Sequence, residues 1–138
     1  MLEAWIMELI LVIAPQYEVP PMLVASIVIV ESQGNVIAEN YNKYNGTYDR
    51  GLMQLNSSWF RGDWKCAETN IRAGCKLLRF LYDQTGTWYA AVIAYNCGYG
   101  RFSRKEGPPT KSVEYAVRVF ELWNKIDPIR RYYYGERN

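Results

Sequence analysis

Glu31 has the surroundings that most favour acid–base chemistry in this sequence. The seven residues before it, Val24 to Val30, are all apolar or small, and they predict that Glu31 lies at the end of a buried helix. Burial disfavours the charged carboxylate, and the negative end of a helix dipole acts in the same direction, so we expect a raised pKa for Glu31. A carboxylic acid that stays protonated near neutral pH can protonate a glycosidic oxygen. The alternative is a helix-terminal glutamate that points to water.

Asp49 is a second carboxylate that could take part in the same chemistry. It follows Glu31 by 18 residues, in a turn-rich stretch that leads into the segment Gly51 to Asn56. If it faces Glu31 across a cleft, the two carboxyl groups form the pair that many glycosidases use. The alternatives are a brace that holds the ribbon through hydrogen bonds and a turn residue whose carboxylate bonds its own backbone.

Amide and phenol side chains are the candidates for holding a polar substrate. Gln54 and Asn56 carry amides that suit sugar hydroxyl and acetamido groups. Tyr95 and Asn96 stand at the end of an apolar helical stretch, where a tyrosine hydroxyl beside a buried glutamate would orient its proton. The alternative for this second pair is a packing tyrosine and an asparagine helix cap.

Composition excludes several other kinds of chemistry. The chain of 138 residues contains no histidine, so Ser-His and Cys-His nucleophile pairs and His-ligated metals are excluded. Its three cysteines include no Cys-x-x-Cys pair, and we therefore expect neither a metal nor a cofactor. A net charge of +2 is too small to indicate a nucleic-acid partner.

The three cysteines are expected to be structural. Cys66 and Cys75 are nine residues apart, which on one helix is about 13 Å, too far for a disulfide. A disulfide between Cys75 and Cys97 stays open as an alternative.

Helical patterns predominate in the elements that must position these residues. Pro21 suits the first position of a helix that is apolar on all sides and ends near Gly34, and we expect this helix to be central and buried.

Residues 36–56 are rich in turn formers, and Asn45-Gly46 predicts a tight hairpin turn in a small irregular antiparallel ribbon. Ser57 or Ser58 can cap a short helix that contains Trp59. Further helices are predicted over 68–82, from a Thr87 cap through Tyr95, and over Ser112–Asp127 with Val113, Ala116, Val117, Phe120 and Trp123 inward.

Five short motifs occur in a fixed order along the chain: Glu31-Ser32, Gly51 to Leu55 (GLMQL), Glu68 to Ile71 with Gly74, Ala94 to Asn96 with Gly98, and Glu114 to Val117. Together they resemble the catalytic domain of the soluble lytic transglycosylases, which are relatives of goose-type lysozyme. The resemblance covers residues 17 to about 120. A Tyr-Asp-x-Gly-Leu-Met-Gln stretch is similar to that of compact secretion-associated members, and small phage-encoded domains of this kind also exist.

This resemblance implies one lysozyme-like domain over residues 1–138, of α+β class but mainly α, with the ribbon beside a cleft. It also implies cleavage of the β-1,4 bond between N-acetylmuramic acid and N-acetylglucosamine in peptidoglycan. Glu31 would protonate the leaving oxygen and then take the proton of the muramic 6-hydroxyl, which closes a 1,6-anhydro ring without water. The substrate-binding positions that it implies are Asn40, Met53, Gln54, Tyr95, Asn96 and Tyr115.

The partners and the location follow from the same resemblance. We expect the protein to bind peptidoglycan glycan strands at the bacterial wall, in the periplasm, outside the cell or delivered by a phage, as a monomer with secretion or phage assembly partners. Residues 1–14 carry Glu3 and Glu8 and no basic start, so we expect neither a signal peptide nor a membrane span. The tail from Arg130 to Tyr134 is expected to be a solvated end.

Two other functions stay open. With Asp49 as the second carboxylate, the chain would be a lysozyme that hydrolyses the same bond. A wall-binding domain that keeps the fold without catalysis is the other, although such a domain has no need of a buried acid at Glu31 or of Gln54.

Overall fold

Six helices and three short strands make up residues 1–130, the part of the chain that the computed structural model describes. Helix accounts for 58% of it, and the strands form one small antiparallel sheet. The predicted class, α+β but mainly α, is confirmed. The helices are α1 (Ala4–Gln16), α2 (Pro21–Ser32), α3 (Ala67–Thr85), α4 (Trp88–Cys97), α5 (Tyr99–Phe102) and α6 (Thr110–Ile126), and the strands are β1 (Glu39–Asn42), β2 (Thr47–Arg50) and β3 (Leu55–Asn56).

Helix α2 is the buried helix that the sequence predicts. It begins at Pro21, whose missing N–H costs nothing at the first helical position. Its residues from Leu23 to Val28 are all buried. The helix ends near Gly34, as predicted, but the residue that caps it is Gln33, which has a φ of +54° and donates its N–H to the carbonyls of Val28 and Ile29.

The ribbon has the strand order β1-β2-β3, antiparallel throughout. Asn42 pairs with Thr47, so a four-residue loop over 43–46 joins the first two strands instead of the predicted two-residue turn. Gly46 closes this loop with a φ of +71° and donates its N–H to the carbonyl of Asn42 at 2.8 Å.

The helix predicted around Trp59 is a turn instead. Asn56, rather than a serine, organises it, since its side-chain Oδ1 accepts from the N–H of Ser58. The Asn56 carbonyl accepts from the N–H groups of Trp59 and Phe60. Ser57 serves the sheet, where its Oγ accepts from the N–H of Tyr48 at 2.9 Å.

The chain forms two compact units, Met1–Lys76 and Leu77–Asn138. The core of the first unit is aliphatic, and the core of the second contains large aromatic rings, among them Phe120 and Trp123, whose centroids lie 5.3 Å apart. The single domain over residues 1–138 stays a prediction. In residues 1–130, the helices are either too short or too polar to cross a membrane.

The second unit confirms one predicted cap and corrects two details. Thr87 caps α4, and its side chain accepts from the N–H of Ala90 at 3.1 Å. In α6, the sequence predicts that Val117 faces inward, but this residue is 40% exposed, whereas Tyr115 on the same helix is buried. Arg130 is buried rather than solvated, because its guanidinium lies 4.4 Å from the ring centroid of Trp123 and its Nε donates to Asn124. The other tail residues, 131–134, lie outside the described residues.

All three cysteines are free thiols, so the disulfide between Cys75 and Cys97 does not form. Cys75 is buried, as a structural cysteine should be, and burial raises its pKa to about 12. Cys66 is exposed and therefore does not fill a core position. The Thr69 hydroxyl, followed by the Thr69 backbone N–H, lowers the pKa of Cys66 by hydrogen bonding to the thiolate.

Candidate active site

Glu31 is the penultimate residue of α2 and is half-buried. The next residue, Ser32, fixes this end of the helix. Its Oγ donates to the carbonyl of Leu52 at 2.8 Å and accepts from the N–H of Gly34 at 3.2 Å. Because Leu52 belongs to the GLMQL segment, this bond sets the backbone of Glu31 at a defined position relative to that segment.

Gly51 and Asn70 determine the path of the GLMQL segment. Gly51 has a φ of +78°, and a Cβ on it would lie 2.1 Å from Asn70 Nδ2 and 2.6 Å from the carbonyl of Trp64. Asn70 is fully buried in α3, where its Nδ2 donates to the carbonyls of Arg50 and Trp64 and its Oδ1 accepts from the N–H of Met53. Only a glycine at position 51 leaves room for the Asn70 side chain beside the turn.

Met53 lies in the core, and its assignment as a substrate-binding residue stays a prediction. It is 0% exposed. A Cβ on Gly74 would lie 2.3 Å from its sulfur, so the thioether occupies the space that this glycine leaves open on α3. A side chain buried in this way supports the GLMQL segment from beneath.

Gln54 uses its amide to join the segment to the ribbon. Its Oε1 accepts from Asn40 Nδ2 at 2.7 Å, and its Nε2 donates to the carbonyl of Gly51 at 3.1 Å and to that of Ala38 at 3.3 Å. Gln54 also adopts a φ of +52°. Such a conformation is uncommon outside glycine and needs surrounding structure to hold it. These bonds therefore give Gln54 a positioning role, and they bring together two of the predicted site residues, Asn40 and Gln54.

Asp49 lies on β2 within a network of amides on one face of the ribbon. Its Oδ2 accepts from Asn42 Nδ2 at 3.1 Å, and its Oδ1 accepts from Asn56 Nδ2 at 2.9 Å. The same two amides donate to Thr47 Oγ1. Asp49 thus connects all three strands, which fits the ribbon brace that the sequence leaves open for it.

The opposite face of the ribbon carries two tyrosine rings tilted against each other, and a cation. The Arg50 guanidinium lies 4.6 Å from the ring centroid of Tyr48 and 5.5 Å from that of Trp64, and its Nε is 2.7 Å from Glu39 Oε2. The Tyr41 ring lies 5.0 Å from the Tyr48 ring. The alternation of side chains along a strand places this cluster opposite the Asp49 network.

The three remaining predicted residues belong to the second unit. Tyr95 is half-buried on α4 and Tyr115 is buried on α6, with the Arg118 guanidinium 6.0 Å from its ring centroid. Asn96 is exposed, and its Oδ1 accepts from Ser112 Oγ at 2.7 Å. Because this bond occupies Oδ1, the Nδ2 group of Asn96 is the part of the amide that can donate to a ligand.

Comparison with known families identifies the family of this chain. The sequence model described as the transglycosylase SLT domain matches residues 8–117. The chain belongs to this family. A search of curated proteins found no match for it. Members of the SLT family are lytic transglycosylases with lysozyme-like domains, which confirms the resemblance seen in the motifs. Family membership also supports peptidoglycan as the substrate and the cell wall as the place of action.

The match includes every residue predicted for the site, from Glu31 to Tyr115. Ser32 and Asn70, which position these residues, belong to the motifs, but the motifs alone do not reveal their roles. A signal for Asn70 exists in the sequence. It stands next to Ile71 on the apolar side of an amphipathic helix, and a buried asparagine must find hydrogen-bond partners there.

Proposed function

We propose that this SLT-family chain cleaves the β-1,4 bond between N-acetylmuramic acid and N-acetylglucosamine and releases 1,6-anhydromuramic ends, with Glu31 as the catalytic acid and base. The observation that carries the proposal is the anchoring of Glu31. The residue is half-buried at the end of an apolar helix, and the bond from Ser32 to Leu52 fixes that end against the family's GLMQL segment. A proton donor must be held in this way to act on one defined oxygen.

The proposed reaction needs one carboxyl group that acts twice. Glu31 donates its proton to the glycosidic oxygen, and the bond from that oxygen to C1 of the muramic residue breaks. The carboxylate then removes the proton of the 6-hydroxyl of the same residue, and O6 forms the new bond to C1. The proton returns to Glu31 and no water is consumed, while the substrate's acetamido group stabilises the developing positive charge.

The network around Asp49 supports a bracing role for this residue. Both of its carboxylate oxygens accept amide N–H groups from neighbouring strands. A nucleophile would have to give up at least one of these bonds to attack a sugar carbon. In the lysozyme alternative, the same hydrogen bonds would orient Asp49 as the second carboxylate. The network therefore fits both functions, and their products distinguish them.

Product analysis of digested peptidoglycan tests the proposal. Anhydromuropeptides and reducing muropeptides differ in mass by one water, and mass spectrometry separates them. We expect anhydro ends from the wild-type protein. Reducing ends alone would establish the lysozyme alternative, and binding to the wall without any soluble product would establish a wall-binding domain. Secretion-associated or phage assembly partners remain part of the proposal.

A further inference from the structure

The positive charge of this protein is concentrated in one short stretch, which we call the basic segment and define as Tyr99–Lys111. Its charged residues are four cations, at Arg101, Arg104, Lys105 and Lys111, and one acid, Glu106. The segment therefore has a net charge of +3, whereas the whole chain has +2. The rest of the chain is net negative, so an anionic partner is attracted to this segment in particular.

The cations of the basic segment are exposed and available to a partner. All four side chains belong to exposed residues. The ion pairs described within residues 1–130 use Arg50, Arg72 and Arg79, and none of these pairs includes a cation of the segment. A group of four exposed cations with one acid among them produces a local positive potential.

The segment is held in a defined conformation at both ends. It starts after α4 and ends in the first turn of α6, and the Ser112 hydroxyl bonds Asn96 Oδ1 at 2.7 Å to close it. Within it, Ser103 Oγ donates to the carbonyl of Tyr99 at 2.8 Å. The N–H of Gly107 donates to the carbonyl of Arg104 at 2.9 Å. The cations therefore project from a structured loop.

We propose that the basic segment binds the carboxylates of the peptide stems of peptidoglycan. This inference rests on the proposed function, because Asn96 is a predicted contact for the glycan and the segment begins three residues after it. A glycan strand at Asn96 brings the peptides on its muramic residues to the segment, and these peptides carry free carboxylates. Exposed ion pairs are individually weak, but several together give a salt-dependent contribution to affinity.

A lipid surface is the less suitable anionic partner for this segment. Binding at a membrane interface needs an apolar face that enters the acyl boundary. Helix α5 has only four residues, and of its two rings Tyr99 is 38% exposed and Phe102 is half-buried. The segment offers charge without such a face.

The test compares two variants of equal net charge in a Glu31→Gln background, which prevents digestion of the wall during the measurement. One variant carries R101Q, R104Q, K105Q and K111Q in the segment. The matched control carries R61Q, K65Q, K76Q and K125Q at exposed positions elsewhere. Cosedimentation with insoluble peptidoglycan gives the affinity of each at about 50 mM and 1 M NaCl, on native walls and on walls whose carboxylates have been converted to neutral amides.

We expect the segment variant to bind native walls on the order of tenfold more weakly than the control at low salt. The difference should vanish at 1 M NaCl, where the Debye length is about 3 Å, and on the amidated walls. Equal losses in both variants, or a difference that persists on amidated walls, would overturn the proposal. Segment-dependent binding to phosphatidylglycerol vesicles in place of walls would overturn it in favour of a membrane.

Circular dichroism and thermal melting establish that each variant is folded. If the fourfold variant does not fold, the pair R104Q/K105Q replaces it, with K76Q/K125Q as the control and an expected loss of about threefold. Product analysis of the wild-type protein is independent of these measurements. If the wall binds through the basic segment but is not cleaved, the proposed function is wrong and this inference stands. If the wall is cleaved but does not bind through the segment, this inference is wrong and the proposed function stands.

Discussion

The backbone N–H of Met53 donates to Asn70 Oδ1 across 2.8 Å, and this bond joins the GLMQL segment to α3. The same asparagine donates to the carbonyls of Arg50 and Trp64. One buried side chain thus satisfies three backbone groups, one in the last residue of β2 and two in the irregular chain that follows this strand. Because Ser32 bonds Leu52 in the middle of this stretch, the position of Glu31 depends on the same arrangement.

Replacement of Gly51 by alanine tests how strictly Asn70 requires a glycine beside it. Gly86→Ala is a matched control, since Gly86 has a φ of +88° and open space around its missing Cβ. Both variants place alanine in the left-handed region, which costs about 1 kcal/mol. Gly51→Ala must also displace Asn70 from its bonds, so we expect a total loss of about 3–5 kcal/mol in the free energy of unfolding. Urea denaturation measures both, and equal losses would contradict this account.

Local signals in the sequence predict the helices well because those signals act locally. Pro21 starts α2 through its own fixed φ, and Thr87 caps α4 with its own hydroxyl. Gln33 and Gln54 adopt positive φ values, which glutamine does not favour by itself. For Gln54, contacts with Asn40 and with two backbone carbonyls compensate. Such contacts depend on the folded chain, so sequence periodicity does not reveal them.

The candidate site is predictable in its positions and less so in its roles. Motif order alone identifies Gln54 and Met53, but the structure gives Gln54 a bridging amide and places Met53 in the core. The reason is that a motif records which residue type a position needs and not whether the need is catalysis or packing. Asp49 shows the same ambiguity, since a carboxylate suits both a nucleophile and a ribbon brace.

Glu31→Gln should leave the protein folded and remove nearly all lytic activity. The amide keeps the size of the side chain but has no acidic proton for the glycosidic oxygen, and general acid catalysis contributes roughly 10²–10⁴-fold. Turbidity clearing of a wall suspension measures the rate, and Glu121→Gln, an exposed change on α6, is the control. Clearing by folded Glu31→Gln protein at the wild-type rate would show that another residue supplies the proton.

Cys66 should react before Cys75 as the pH rises. The Thr69 hydroxyl is the main cause that lowers its pKa below 9.0, so the reactive thiolate forms at a lower pH than in a free cysteine. Burial raises the pKa of Cys75 to about 12 and protects it in the folded protein. Iodoacetamide labelling followed by peptide mapping gives each pH midpoint. We expect Thr69→Val to raise the Cys66 midpoint and Thr69→Ser to preserve it, and an unchanged midpoint in Thr69→Val would be the opposite result.

Asp49→Asn decides between a brace and a nucleophile. An amide in this position can accept only through its oxygen, so one of the two bonds from Asn42 and Asn56 is lost and the ribbon is disturbed. For a brace we expect a loss of about tenfold in rate, equivalent to about 1.4 kcal/mol, with 1,6-anhydro ends still formed. Asn56→Ala removes a partner but keeps the carboxylate, so a brace predicts a similar loss in both variants. A nucleophile predicts that Asp49→Asn is as inactive as Glu31→Gln while Asn56→Ala retains most of its rate, and reducing ends from the wild-type protein would accompany that outcome.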